Sequence, residues 1–196
     1  MTNPLAFFDM LYLGQRMSDL VDGFSRPELH LLAYASCLLS LYEGQPVAEW
    51  GYDFISAENG LPFSQDFDAA VDEGLSLDHL LVHESLIHLS SEGIVELRVL
   101  RSFAVNKERE RYLAGAADSL LVFSPGNVRE AFDYDPAISF LKKGRRTAWV
   151  LTEAVTERLY GNFQQLRTAL DYDAEDLSVP MITWLRYLIQ TGRHAQ

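Results

Sequence analysis

The sequence has one cysteine, few cations in its first half, and no apolar run approaching the ~20 residues that a membrane-spanning helix needs. With Cys37 alone, an internal disulfide is excluded. The thiol lies inside the apolar run 31–41 with no basic neighbour in sequence to lower its pKa, so it reads as a small buried hydrophobe of a reducing compartment rather than a nucleophile. Glycine is never clustered. Gly126 and Gly144 stand alone, and Gly14, Gly23 and Gly44 fall where helices should stop, so there is no phosphate-cradling loop and no expectation of nucleotide hydrolysis. The opening Met1-Thr2-Asn3-Pro4 lacks the basic region of a secretory signal, and the expected location is the cytoplasm, with no membrane contact.

Charge is unevenly placed. Residues 1–93 hold fifteen Asp and Glu against only Arg16 and Arg26, a net of −13, while residues 94–196 hold thirteen acids against fourteen cations, a net of +1. The overall −12 argues against a free-standing DNA-binding protein, because phosphate neutralisation supplies most non-specific affinity. It suits a protein that meets a basic protein surface, or one that simply stays soluble.

What is present is a chain of helical signals. Residues 3–22 carry Phe7, Phe8, Met10, Leu11, Tyr12 and Leu13 in an amphipathic segment able to pack internally or on a partner. Ser25-Arg26-Pro27-Glu28 is a capping box with Pro just inside the start, predicting a helix over 27–42 that has almost no polar face and is therefore central and buried. The segment 46–54 carries Trp50, Tyr52 and Phe54, but Pro46 and Gly51 exclude a long strand; it reads as a short helix or turn whose aromatics cap the central helix. A short helix over 64–73 follows. Leu77, Leu80, Leu81, Ile87 and Leu89 then recur at near-helical spacing, Ser90-Ser91-Glu92-Gly93 reads as a stop with Gly93 as its left-handed residue, and residues 94–100 read as a strand.

That order is how the third helix and wing strand of a winged helix-turn-helix usually look in sequence. Beyond it, Asn106 should cap a helix over 107–123 whose small residues 114–117 admit another helix closely; short helices, a long helix over 147–170 bent at Gly161, and a last helix after Ser178-Val179-Pro180 complete the chain. The expected fold is mainly α with a small β wing: an acidic winged-helix-like domain over 1–105 and a helical domain over 106–196 packed against it.

No constellation carries catalysis. His79 and His83 stand four residues apart, the spacing at which one helix face shares a zinc ion, but Leu80 occupies the place where metalloproteases carry Glu and no third ligand follows, so no metal site is expected. Acidic pairs such as Asp66 and Asp68, or Asp171 and Asp173, are the solvated face of an acidic protein. Two basic clusters break the pattern. Lys142, Lys143, Arg145 and Arg146 form one, and Arg98 and Arg101, with Lys107, Arg109 and Arg111, flank the expected wing; these are the candidate contacts to a phosphate backbone, as contributors within a larger assembly. The structural alternatives are a helix C-terminus for the first cluster and helix-face pairing with Glu108 and Glu110 for the second.

The central helix ending in Leu41-Tyr42-Glu43-Gly44-Gln45-Pro46-Val47-Ala48-Glu49-Trp50-Gly51-Tyr52, the segment 86–97 and the chain length together resemble the middle component of bacterial ABC-type three-component defence systems, the Lamassu-type C subunit among them. The resemblance spans most of 27–97 and consists of packing residues. It implies a non-enzymatic accessory subunit of an antiviral (antiphage or anti-plasmid) complex, bridging an SMC-like coiled-coil ATPase and an effector, often a nuclease, without cofactor, and meeting DNA only through the complex. Its partner interface would bury Phe7, Phe8 and Tyr12, or Trp184 and Tyr187. A second reading stays open: the Tyr-x-Gly-x-Pro-Val-x-x-Trp pattern is also similar to the antitoxin domain typified by the SocA proteolytic adaptor, and a winged-helix transcriptional regulator would share the architecture. A DNA-reading helix, however, needs Arg, Lys, Asn or Gln outward, where 77–89 offers Asp78, His79, His83, Glu84 and His88.

Overall fold

Asn3 starts the first helix. Its side-chain oxygen accepts from the backbone N–H of Leu5 at 3.0 Å and Ala6 at 3.3 Å, and Pro4 occupies the position where a missing N–H costs nothing. The computed structural model describes residues 2–57, 60–139, 148–170 and 176–194. Helix α1 (Pro4–Leu20) is followed by α2 (Arg26–Tyr42), where the predicted capping box forms: the Ser25 backbone N–H donates to the Glu28 carboxylate at 2.6 Å. Every residue of α2 from Leu29 to Tyr42 is buried, as a helix without a polar face must be. A 3₁₀ turn (Val47–Trp50) ends on Gly51, whose φ of +93° only glycine adopts freely. Strands β1 (Ile55–Ser56) and β2 (Pro62–Phe63) pair antiparallel, and α3 (Gln65–Ser76) starts at Ser64, whose hydroxyl accepts from Phe67 N–H.

The next stretch reverses the expected order. Residues 77–89 are not a helix but a hairpin, β3 (Leu80–His83) with β4 (Leu86–Leu89), and residues 94–100 lie in helix α4 (Ser91–Leu100) instead of a strand. The turn explains the hairpin: Glu84 at φ 49° and Ser85 at φ 71° are both left-handed, the two-residue geometry that matches strand twist. Ser90 is a helix start rather than a stop. Its hydroxyl accepts from Gly93 N–H at 3.0 Å, and Glu92 lies in the first turn beside the positive helix end. Gly93 is a helical residue, not a left-handed cap; a side chain there would collide with the His79 carbonyl oxygen and press Leu89. With His83 in β3 and His79 in the bend before it, the helical i, i+4 geometry for zinc is absent, and no group of three metal-ligating side chains occurs among the described residues.

Helix α5 (Ala104–Asp118) begins after Phe103 without a side-chain cap, and Asn106, the expected cap, instead donates from its amide to Leu100 O at 2.8 Å, tying the end of α4 to α5. After a 3₁₀ turn (Ser119–Leu121) come α6 (Pro125–Asp133) and a helical turn at 136–139. Residues 148–150 are extended, bonding to Phe54 and Ser56 beside β1, so the long helix begins later than predicted, as α7 (Glu153–Leu170). Helix α8 (Ser178–His194) ends the described chain.

The fold is mainly helical, with two small two-stranded sheets. Helix α2 is the axis, packed by α1, α5 and α7, while α8 packs on α5 and α6. The predicted close approach at the small residues is present: a Cβ on Gly115 would lie 2.7 Å from Leu177 Cβ and 2.9 Å from Leu39. One hydrophobic cluster runs from Ala6 to Leu188, so the core continues through position 105. No helix among the described residues is long and apolar enough to cross a membrane.

Candidate partner-binding surface

Most of the chemistry-bearing residues are consumed inside the fold. Asp9, completely buried on α1, accepts from Arg109 through Nε at 2.5 Å and Nη2 at 2.7 Å, and from the Tyr52 hydroxyl at 2.6 Å. The guanidinium lies 3.7 Å from the centre of the Trp50 ring. Burial raises the Asp9 pKa against the pull of Arg109 and Tyr52; burial also acts to lower that of Arg109, but the facing carboxylate overrides it and raises it. All four side chains are thus engaged with one another, joining α1, the 47–54 segment and α5. A cavity of about 150 Å³ beside them is lined by Glu49, Trp50, Glu108 and Arg109.

A second buried cluster has the composition of a hydrolytic triad but not its wiring. Ser64, His30 and Asp68 adjoin, yet His30 Nδ1 accepts from the Ser64 backbone N–H at 3.3 Å, leaving the Nε2 proton facing Asp68 at 3.4 Å, while the Ser64 hydroxyl caps α3. A nucleophile needs its hydroxyl on the base; here the base holds the backbone. The His30 hydrogen bond, assisted by Arg26, holds the Asp68 carboxyl below its ordinary range. Cys37 is buried as expected, and burial pushes its thiol far above the range of a reactive cysteine.

The expected site residues divide into three groups. Phe8, Tyr12 and Trp184 are buried in the chain's own core, which corrects the expectation that they face a partner; Phe7 is half-buried against the His79 ring, and only Tyr187, stacked on Trp184, is 48 % exposed. Arg98 is exposed on α4, whereas Arg101 is drawn into a two-point contact with Glu110 (3.1 and 2.7 Å). Lys142, Lys143, Arg145 and Arg146 lie outside the described residues.

Among the described residues the fold also leaves several large apolar side chains uncovered. On α4 only Gly93 and Leu97 are buried, so Val95 (58 % exposed) and Val99 (52 %), one turn apart, present a bare ridge, and Phe103 and Val105 just after the helix are exposed as well. The hairpin adds Leu81 and Val82 (61 %). Sequence reasoning passed over this ridge because the segment read as a strand, in which Val95, Leu97 and Val99 would share the covered face.

A single isolated apolar residue on a surface is ordinary, but a ridge of this kind on a helix with so little buried is the pattern of a protein contact site. No family model, curated protein or solved structure matches the chain.

Proposed function

We propose that the chain is a non-enzymatic adaptor, an accessory subunit that docks partner proteins through the α4 ridge. The uncovered Val95, Val99 and Phe103 carry this reading, since each leaves in water the apolar area that a partner would bury. The resemblance of residues 27–97 to the middle component of Lamassu-type defence complexes supplies the partner class: an SMC-like coiled-coil ATPase and an effector nuclease, with DNA engaged through the assembly. The rewired Ser64–His30–Asp68 cluster and the self-contained Asp9–Arg109 pair favour this over an enzyme.

A DNA-reading regulator has one feature in its favour, a helix (α3) followed directly by a hairpin, as in a helix and its wing. The charge opposes it: the solvent side of α3 carries Asp66, Asp72 and the half-exposed Glu73, a poor match to phosphate.

The test is co-expression of the tagged chain with the genes on either side of its own. Recovery of a large coiled-coil ATPase in fixed ratio, lost in Val95→Asp/Val99→Asp while the variant keeps its helical circular dichroism, is the expected result. A monomer that retains no partner at low salt would refute the adaptor reading.

A further inference from the structure

The hairpin edge holds a second, more specific site. Phe24 and Ile87 exchange both backbone hydrogen bonds, Phe24 N–H to Ile87 O at 3.1 Å and Ile87 N–H to Phe24 O at 2.8 Å, so the small sheet has the order Phe24, β4, β3. Because Ile87 turns its N–H and C=O towards Phe24, the residue opposite it, Val82, turns its own away from β4 by the alternation of an antiparallel ladder. Leu80, two residues earlier, has the same phase but is buried, so the outward pair open to a partner is that of Val82. No backbone partner for Val82 occurs among the described residues, and its side chain is 61 % exposed. Strand β3 is therefore a free edge, without the Lys, Pro or bulge that usually blunts one.

Charge identifies the occupant. Asp78 and Glu84, both exposed, bracket β3, and the sequence contains no Lys or Arg anywhere between Arg26 and Arg98. A second copy paired antiparallel on this edge would bring the Asp78 end of one strand beside the Glu84 end of the other, which like charges oppose. A strand bearing cations at its ends meets the opposite arrangement.

We propose that the β3 edge accepts an extended, basic segment of a partner protein as an added strand, with Val82 as the backbone contact, Leu81 and Val82 as apolar contacts, and Asp78 and Glu84 as the charge clamps. This rests on the adaptor reading but uses a surface other than the α4 ridge.

The probe is a synthetic ten-residue peptide of alternating Lys and Val, titrated into the full chain by fluorescence anisotropy at low salt, with amide hydrogen exchange read at Val82. Saturable binding with at least tenfold slower exchange at Val82 is expected, with no binding of the Glu-Val counterpart. Asp78→Asn/Glu84→Lys, which leaves the edge intact, should weaken the Lys-Val peptide at least tenfold. Val82→Pro, which removes the outward N–H, should abolish binding. Unchanged exchange at Val82 on saturation, or equal affinity of the charge variant, would overturn the proposal. So would a concentration-dependent dimer that Val82→Pro dissociates, which would assign the edge to a second copy. Partner recovery that survives Val82→Pro but fails in Val95→Asp/Val99→Asp would leave the adaptor reading standing whatever the peptide does.

Discussion

Asp135→Asn should stabilise this protein at neutral pH, and the pH dependence of that gain is its signature. Asp135 is completely buried at the start of the helical turn 136–139, where Oδ1 accepts from Ala137 N–H at 2.9 Å and Ile138 N–H at 3.4 Å. Among the described residues Oδ2 has no hydrogen-bond partner, nor has the nearby buried Tyr34 hydroxyl. Burial pushes the carboxyl up to about 6 from an ordinary 3.8, with the two backbone bonds pulling only partly back. Between those values the folded protein keeps a proton that the unfolded chain has released. Stability contributed by this group is therefore complete below about pH 4 and declines as pH rises towards 6. Two units at 1.36 kcal/mol each amount to about 3 kcal/mol lost at pH 7, a large share of the ~5 to 15 kcal/mol that holds a domain folded.

Asparagine keeps the capping oxygen and removes the charge. Urea unfolding of both proteins from pH 4 to 8 should give equal stabilities at the acid end and an advantage for the variant that grows through pH 4–6 to about 3 kcal/mol, then stays flat. Taking the difference between the two proteins cancels the other carboxylates, including Asp68, whose lowered pKa gives the opposite slope. A difference that does not vary with pH, or a variant less stable at pH 7.5, would refute the assignment of an unsatisfied buried charge.

Two further outcomes test the interior. Arg109→Met should destabilise by about 3 to 5 kcal/mol because it strands the Asp9 charge, and Asp9→Asn added to it should recover much of that loss in urea unfolding. Gly93→Ala should lower stability by ~1 to 3 kcal/mol in thermal melts, because its methyl group meets the His79 carbonyl and Leu89 where α4 crosses the hairpin.

The parts of the fold legible in the sequence were those whose signals were local. The capping box at Ser25 and the unbroken apolar run after it determine α2 without reference to anything distant, and Trp50 is buried as its aromatic setting predicted. The stretch 77–100 misleads because its local signals conflict. Leu80, Leu81, Ile87 and Leu89 fit a helical period as well as a hairpin, and the β-branched residues of 94–100 favour a strand that tertiary packing overrides by seating only Gly93 and Leu97. Ser90 followed by Glu92 was the available sign of a helix start. Arg109 gave no sign at all: within Lys107-Glu108-Arg109-Glu110-Arg111 it is indistinguishable from its exposed neighbours, and only the partner a hundred residues away makes it a core residue.

That pairing also changes what the charge asymmetry means. The excess acid of the first half and the cations of the second pair with each other: Asp9 with Arg109 in the interior, and nearer the surface Glu43 with Arg111 and, in the opposite sense, Arg16 with Asp118. The acid on α1 and at the end of α2 is therefore partly spent in holding α5 in place. Arg26, at the start of α2, reaches Asp68 and Asp72 of α3. The sequence places no Lys or Arg between Arg26 and Arg98, so the hairpin supplies no cation of its own to Asp78 and Glu84. A basic partner would thus be steered to the hairpin, close to the helix whose apolar ridge it could then cover.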